Sequence, residues 1–398
     1  MKNGNAPAES SLLSLPMMAV MTAQFLSAFG DNALLIAAIA LLKSQNDANL
    51  VPWLQESFIV PYILLAPFAG PIADSFPKGR VMFGSNALKL AGTALIVAGI
   101  HPLSGYALVG VGAAIYSPAK YGILTQLFDT TKLVRANGLL EGSTIAAILL
   151  GTVSGGELAD HSVTLALLAV VILYVSAAAV NLLIPRLPPE HPLSQFRPSL
   201  LVRDFFSALA ALTADRDARF SLIGTSVFWG AGAALRLLLF AWVPVALGIA
   251  DNKTPSYLMA ALSIGIVFGA LAAGGFVTLV RVNRALFGGL LLGPLILAFA
   301  YSSGIAPAAV LLISIGICGG IFAVPLNALL QERGHQSTGA GHAVAAQNLF
   351  ENLSMLLFVG LYAGMQASLM TAITSVAAFG GLLLAGLTAL SLWRLKRR

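Results

Sequence analysis

The chain of 398 residues is 58% hydrophobic and only 10% charged, with a mean hydropathy of +0.88, whereas soluble domains carry about 25% charged residues. This excludes an ordinary soluble globular protein, and the lone Cys318 excludes a disulfide framework or a cysteine metal site. The formal net charge of +6 sits at the ends of apolar runs rather than on one face, which argues against nucleic acid as a partner.

Apolar runs of about 20 residues, the length that crosses ~30 Å of hydrocarbon, recur along the whole chain. They lack the alternation of barrel strands, so they predict helices. In chain order the spans fall near residues 17–42, 51–73, 81–100, 104–127, 134–159 and 163–185, then 219–247, 255–279, 285–302, 305–330, 340–366 and 370–393. The first run is too long for a cleavable signal peptide and leads directly into Phe29-Gly30-Asp31-Asn32. One long polar connection, rich in Pro185, Pro188, Pro189, Pro192 and Pro198, separates the sixth span from the seventh. The expectation is an all-α membrane protein of twelve transmembrane helices in two six-helix halves. Its segments are an N-terminal stretch 1–16, a first half 17–185, a linker 186–218, a second half 219–393 and a basic tail 394–398.

Basic residues fall in alternate connections: Lys78 and Arg80, Lys132 and Arg135, the linker, Arg281 and Arg284, Arg333, then Arg394, Lys396, Arg397 and Arg398. The other side holds almost only Lys43 and Lys253. By the positive-inside rule both termini and the linker are cytoplasmic. The halves are also faintly alike. Ser117-Pro118-Ala119-Lys120 is echoed by Val324-Pro325-Leu326-Asn327, and Asn137-Gly138-Leu139-Leu140-Glu141 by Gln347-Asn348-Leu349-Phe350-Glu351, at nearly one offset. Matching halves are a transporter signature, with substrate handled near the bilayer midplane.

Six charges fall inside the spans: Asp31, Lys89, Lys120, Glu141, Arg236 and Glu351. At ~2.5 to 3.5 kcal/mol each near mid-helix, the unpaired set would oppose insertion by roughly 15 to 20 kcal/mol. They must face each other, water or a ligand. Three are acidic and three basic, so helix-locking ion pairs and a polar transport cavity are both open readings. Asp31 lies midway along its span, behind Gly30 and beside Asn32, where a missing side chain lets another group approach. Arg236 has comparable depth in helix seven and offers a fork for a phosphate or for Asp31. Lys120, flanked by Tyr116 and Tyr121, either snorkels to the interface or faces the cavity. Lys89 is expected to pair with Asp31 or Glu141. Pro118 and Pro325 at matching places predict bends suited to gating. His335 and His342 flank a Gly-rich turn and read as interfacial.

No Walker A, His-Glu-x-x-His or Gly-x-Ser-x-Gly motif occurs, so ATP-driven pumping by this chain is disfavoured and neither cofactor nor metal is expected. Gly70-Pro71-Ile72-Ala73-Asp74-Ser75-Phe76-Pro77-Lys78-Gly79-Arg80 resembles the loop between helices two and three of the major facilitator superfamily, with Gly79 and Arg80 one residue late. The resemblance implies a gating clamp made by Asp74, Lys78 and Arg80.

Three longer stretches, Ala23 to Leu34, Tyr116 to Gly122 and Val324 to Arg333, with Ala136 to Glu141 and Phe228 to Asn252, resemble the bacterial lysophospholipid transporters of that superfamily. This implies import of lysophosphatidylethanolamine and lysophosphatidylglycerol from the outer to the inner leaflet of the bacterial inner membrane. An acyltransferase and acyl-carrier-protein synthetase would then restore the second chain. The charges suit such a substrate: Lys120 and Arg236 for a phosphate, Asp31, Glu141 or Glu351 for an ammonium. Moving ~16 methylenes into water would cost on the order of 12 kcal/mol, so the tail stays in lipid or an apolar crevice and enters laterally. Proton-coupled efflux of drugs or other small molecules, which shares the fold and an acidic residue in helix one, is the alternative.

Overall fold

In hydrocarbon every backbone polar group has to bond within its own segment, so long apolar runs become helices. The computed structural model describes residues 11–47, 50–190, 197–249, 253–368 and 370–396, and every regular element among them is helical. Residues 1–10 of the expected N-terminal segment, Pro192, Arg397 and Arg398 lie outside the described residues.

The first half contains α1 (Leu15–Ser44), α2 (Val51–Leu64), α3 (Ala66–Ser75), α4 (Lys78–Val97), α5 (Pro102–Leu127), α6 (Leu133–His161) and α7 (Val163–Asn181). After the linker helix α8 (Pro198–Ala214) come α9 (Arg216–Leu247), α10 (Lys253–Phe276), a 3-10 turn over Leu279–Arg284, α11 (Ala285–Ala300), α12 (Ile305–Gln336), α13 (Ala340–Ala367) and α14 (Ala372–Leu395). Among the described residues ten helices are long and apolar enough to cross a membrane, and the bent pair α2–α3 supplies an eleventh. Helix α4, with 20 residues, also has the length, about 30 Å at 1.5 Å per residue. Arg80, Asn86 and Lys89 keep it more polar than the rest.

Two elements differ from expectation. The second span is not one helix but bends by 64° between α2 and α3. Pro67 causes the break, because it has no N–H for the carbonyl of Ile63 and its ring crowds that turn. The linker, read as an open polar connection, folds over Pro198–Ala214 into α8, whose buried Leu201, Phe205, Ala208 and Leu212 recur at helical spacing and pack on α3.

The helices form two compact units. The first comprises Met1–Ala136, Ser143–Asp215 and Leu330–Leu349; the second comprises Asn137–Gly142, Arg216–Leu329 and Phe350–Arg398. Each unit thus takes a short piece of helix from the other sequence half. In the first, buried Leu34, Leu42, Tyr106, Val109, Val170 and Tyr174 form the core. There α4 lies close along α5, and a Cβ on Gly105 would sit 2.6 Å from the carbonyl oxygen of Gly92. Small residues permit the van der Waals contact that holds helices together in lipid. In the second unit Trp242, Phe299, Phe322 and Phe379 lie in the core. The Trp242 Nε1 donates to the Ala300 carbonyl at 3.0 Å, and its ring lies tilted against that of Phe299 with the centroids 4.4 Å apart.

Gly105→Leu drives a side chain into the α4 backbone and is expected to destabilise the protein by roughly 1–3 kcal/mol. Thermal unfolding in detergent checks this: the midpoint falls if the helices touch as described and holds if they do not.

Candidate functional site

The embedded charges of the first unit converge. Asp31 on α1 accepts from Lys89 Nζ of α4 at 2.7 Å through one oxygen and from the Tyr174 hydroxyl of α7 at 2.7 Å through the other. Lys89 Nζ also donates to Ser27 Oγ at 2.9 Å, and that hydroxyl donates to Asn86 Oδ1 at 2.8 Å. The ammonium lies 5.1 Å from the Tyr116 ring centroid and 5.8 Å from that of Tyr174, where ring quadrupoles add to its solvation. Lys89 is 2% exposed and the Asp31 side chain 18%, so the pair sits inside the helices with the Asp31 side chain partly accessible. Gly30 serves this cluster: a Cβ there would meet the Tyr174 ring at 3.0 Å. The group that approaches Asp31 past the glycine is therefore a tyrosine of the same unit.

Of the other residues singled out, Asn32 donates back to the carbonyl of Ala28 in its own helix at 2.8 Å. Lys120 is buried on α5 with its ammonium 4.4 Å from the Tyr121 ring centroid, rather than exposed at an interface. In the second unit Glu141 is buried and accepts from Asn327 Nδ2 at 3.3 Å. Glu351 is buried on α13. Arg236 is exposed midway along α9 and, among the described residues, has no hydrogen bond or ion pair to its side chain. The repeated motifs meet across the sequence halves: Glu141 bonds Asn327, and Asn348 Nδ2 donates to Ser117 Oγ at 3.0 Å beside Pro118. Pro118 and Pro325 both lie inside continuous helices, α5 and α12.

A second polar cluster, also in the first unit, lies at the start of α13. The first N–H groups of a helix have no partner within it and attract anions. Here Asp74, at the end of α3, accepts from Gly341 N at 2.9 Å and from His342 N at 3.1 Å, while Glu190 of the linker accepts from Ala340 N at 3.2 Å. Asp74 also pairs with Lys78 Nζ at 3.0 Å and His342 Nδ1 at 3.0 Å. Glu190 stands 3.7 Å from Lys78 Nζ and 3.3 Å from His335 Nδ1. Burial pushes the Glu190 carboxyl up, but the His335 hydrogen bond and the Lys78 charge outweigh it and hold the group below its ordinary 4.5. Glycines make the approach possible: a Cβ on Gly70 would be 2.8 Å from His342 Cα, and one on Gly341 would be 2.5 Å from Asp74 Oδ1. Asp74 and Lys78 thus belong to one cluster. Arg80 does not; it is exposed beside a separate cleft.

Sequence reasoning missed Ser27, Asn86 and Tyr174 around Asp31, and Glu190 beside Lys78. Gly30 was the available signal for the first group. His335 and His342, read as interfacial, are ion-pair partners of the linker and of α3.

The sequence profile of the Major Facilitator Superfamily matches residues 20–359, and the chain belongs to that family of transporters. It is 56% identical over 361 residues to the "Lysophospholipid transporter LplT" of Serratia proteamaculans (strain 568), covering 90% of this chain and 91% of that one. The protein of the same name from Salmonella typhimurium (strain LT2) is 56% identical over 354 residues, covering 89% and 88%. Among solved structures the Escherichia coli fucose:proton symporter FucP superposes with a TM-score of 0.75 at 13% identity, over 95% of this chain and 98% of that one. A bacterial homologue of the iron transporter ferroportin gives 0.74 at 15% identity, over 97% and 100%. These two show the fold.

The α3–linker–α13 cluster carries a pH signature. Because Glu190 titrates lower in the folded protein, its stabilising contribution is complete above about 4.5 and is lost as pH falls through the depressed folded value. Thermal midpoints measured downward from pH 6 should fall more steeply for the wild type than for Glu190→Gln; identical slopes contradict the assignment.

Proposed function

We propose that this protein moves lysophospholipids between the leaflets of a bacterial inner membrane, with lysophosphatidylethanolamine and lysophosphatidylglycerol as substrates. The observation that carries the reading is chain-long: 56% identity over about nine-tenths of both chains to proteins named lysophospholipid transporter. In this reading the termini and linker are cytoplasmic, as the distribution of basic residues favours. Delivery is to an acyltransferase and acyl-carrier-protein synthetase on that side.

The charged inventory fits a lipid head group. Arg236, exposed and uncommitted among the described residues, is the cation offered to the phosphate, in the bidentate geometry that guanidinium favours. The partly exposed Asp31 and the buried Glu141 and Glu351 are anions for an ethanolamine ammonium. Lys120, with Tyr116 and Tyr121 beside it, is a second cation. The acyl tail remains among lipid, entering laterally, because its transfer to water is so unfavourable. Alternating access follows from making and breaking the contacts of Asp74 and Lys78 at the start of α13, with Pro118 and Pro325 as the compliant points of their helices.

The test is a flipping assay in proteoliposomes with lysophosphatidylethanolamine, lysophosphatidylglycerol and the diacyl counterparts. Both lysolipids should cross and the diacyl lipids should not, and Arg236→Ala should lower the rate at least about ten-fold, the effect of losing one charge-assisted contact. Equal movement of diacyl lipids would sink the reading, as would drug-driven proton movement without lysolipid flipping.

A further inference from the structure

A cleft of about 110 Å³ opens where the start of α4 meets the end of α7, lined by Pro77, Arg80, Phe83, Asn181, Leu182 and Arg186. It lies wholly within the first unit and borders Lys78 in the chain, but none of the ion-paired side chains of either polar cluster lines it. Gly79 fixes its floor: a Cβ there would sit 3.0 Å from the Ile184 side chain and 3.4 Å from the Asn181 carbonyl. Asn181 is 2% exposed, and among the described residues neither its side-chain nitrogen nor its side-chain oxygen has a hydrogen-bond partner. A buried amide left unsatisfied is unfavourable, so a polar group in the cleft would be held. Arg80 and Arg186 flank it, both exposed and, among the described residues, without an ion pair, and no carboxylate lines the cleft.

These features define the occupant. Two uncommitted guanidinium groups with no acid beside them select an anion, and an amide that offers both donor and acceptor adds a hydroxyl or phosphate oxygen. The space holds a phosphate-sized group and no acyl chain. At its rim, however, Leu182 is 68% exposed and Phe83 38%, at the ends of membrane helices. A soluble anion has no use for that apolar rim, whereas a lipid tail would lie along it. We infer that this cleft binds the phosphate head of an acidic membrane phospholipid, such as phosphatidylglycerol, with its acyl chains on Phe83 and Leu182. The site is peripheral and does not depend on what the protein transports.

Native mass spectrometry of the full chain, released from detergent with dioleoyl phosphatidylglycerol, dioleoyl phosphatidylcholine or glycerol phosphate, tests this. Phosphatidylglycerol should be retained in preference to phosphatidylcholine, and Arg80→Gln with Arg186→Gln should weaken its retention about ten-fold or more. Asn181→Leu should weaken it as well. Thermal midpoints near wild type establish that the exposed arginines were not needed for folding. Undiminished retention in the double-arginine variant would overturn the site. So would displacement of the lipid by an equal concentration of glycerol phosphate, since the occupant would then be a soluble anion.

Discussion

An ammonium and a carboxylate cannot enter hydrocarbon helices separately, and the contact between Lys89 and Asp31 is the constraint around which the first unit is arranged. Desolvating either ion costs several kcal/mol, which only close geometry and further hydrogen bonds offset. The 2.7 Å contact, the Tyr174 hydroxyl and Ser27 supply them. Three helices, α1, α4 and α7, are thereby held at one level, and Gly30 is the concession that lets the tyrosine ring in. The Asp31 side chain nonetheless stays 18% exposed, so a group needed for packing is not sealed off completely.

A comparable economy operates at the start of α13. Three backbone N–H groups of one helix N-terminus are taken by two carboxylates, one from α3 and one from the linker. Lys78 pairs with both carboxylates, and His335 and His342 each contact one of them, so no member of the cluster is left to solvent alone. Such a contact is strong when assembled and is lost as a unit when the geometry opens, because a helix terminus attracts an anion only within its first turn. Surface pairs scattered singly would each contribute little by comparison.

Much of this was legible in the chain. Hydrocarbon thickness sets a minimum length for a span, so most helix boundaries fell within a few residues of expectation, and the charges inside them stood out. The bend at Leu65 was not legible, since the run holds Pro61, Pro67 and Pro71 and only the structure shows where the helix breaks. Helix α8 hid among prolines and charges, its apolar face only four residues long. Partnership was the least legible property. Tyr174 sits in an apolar run and Glu190 in a linker, and nothing in local sequence joins them to residues more than a hundred positions away. For Lys89 the sequence left Asp31 and Glu141 both open, and the structure shows the contact with Asp31.

The most direct measurement is a double-mutant cycle on Asp31 and Lys89, read as unfolding free energy in micelles. Lys89→Met alone, which strands a carboxylate among helices, should cost about 3–5 kcal/mol, and adding Asp31→Asn should restore most of it. If Lys89→Met is as stable as wild type, or the two losses simply add, these charges are not holding each other and the account of the helical core fails.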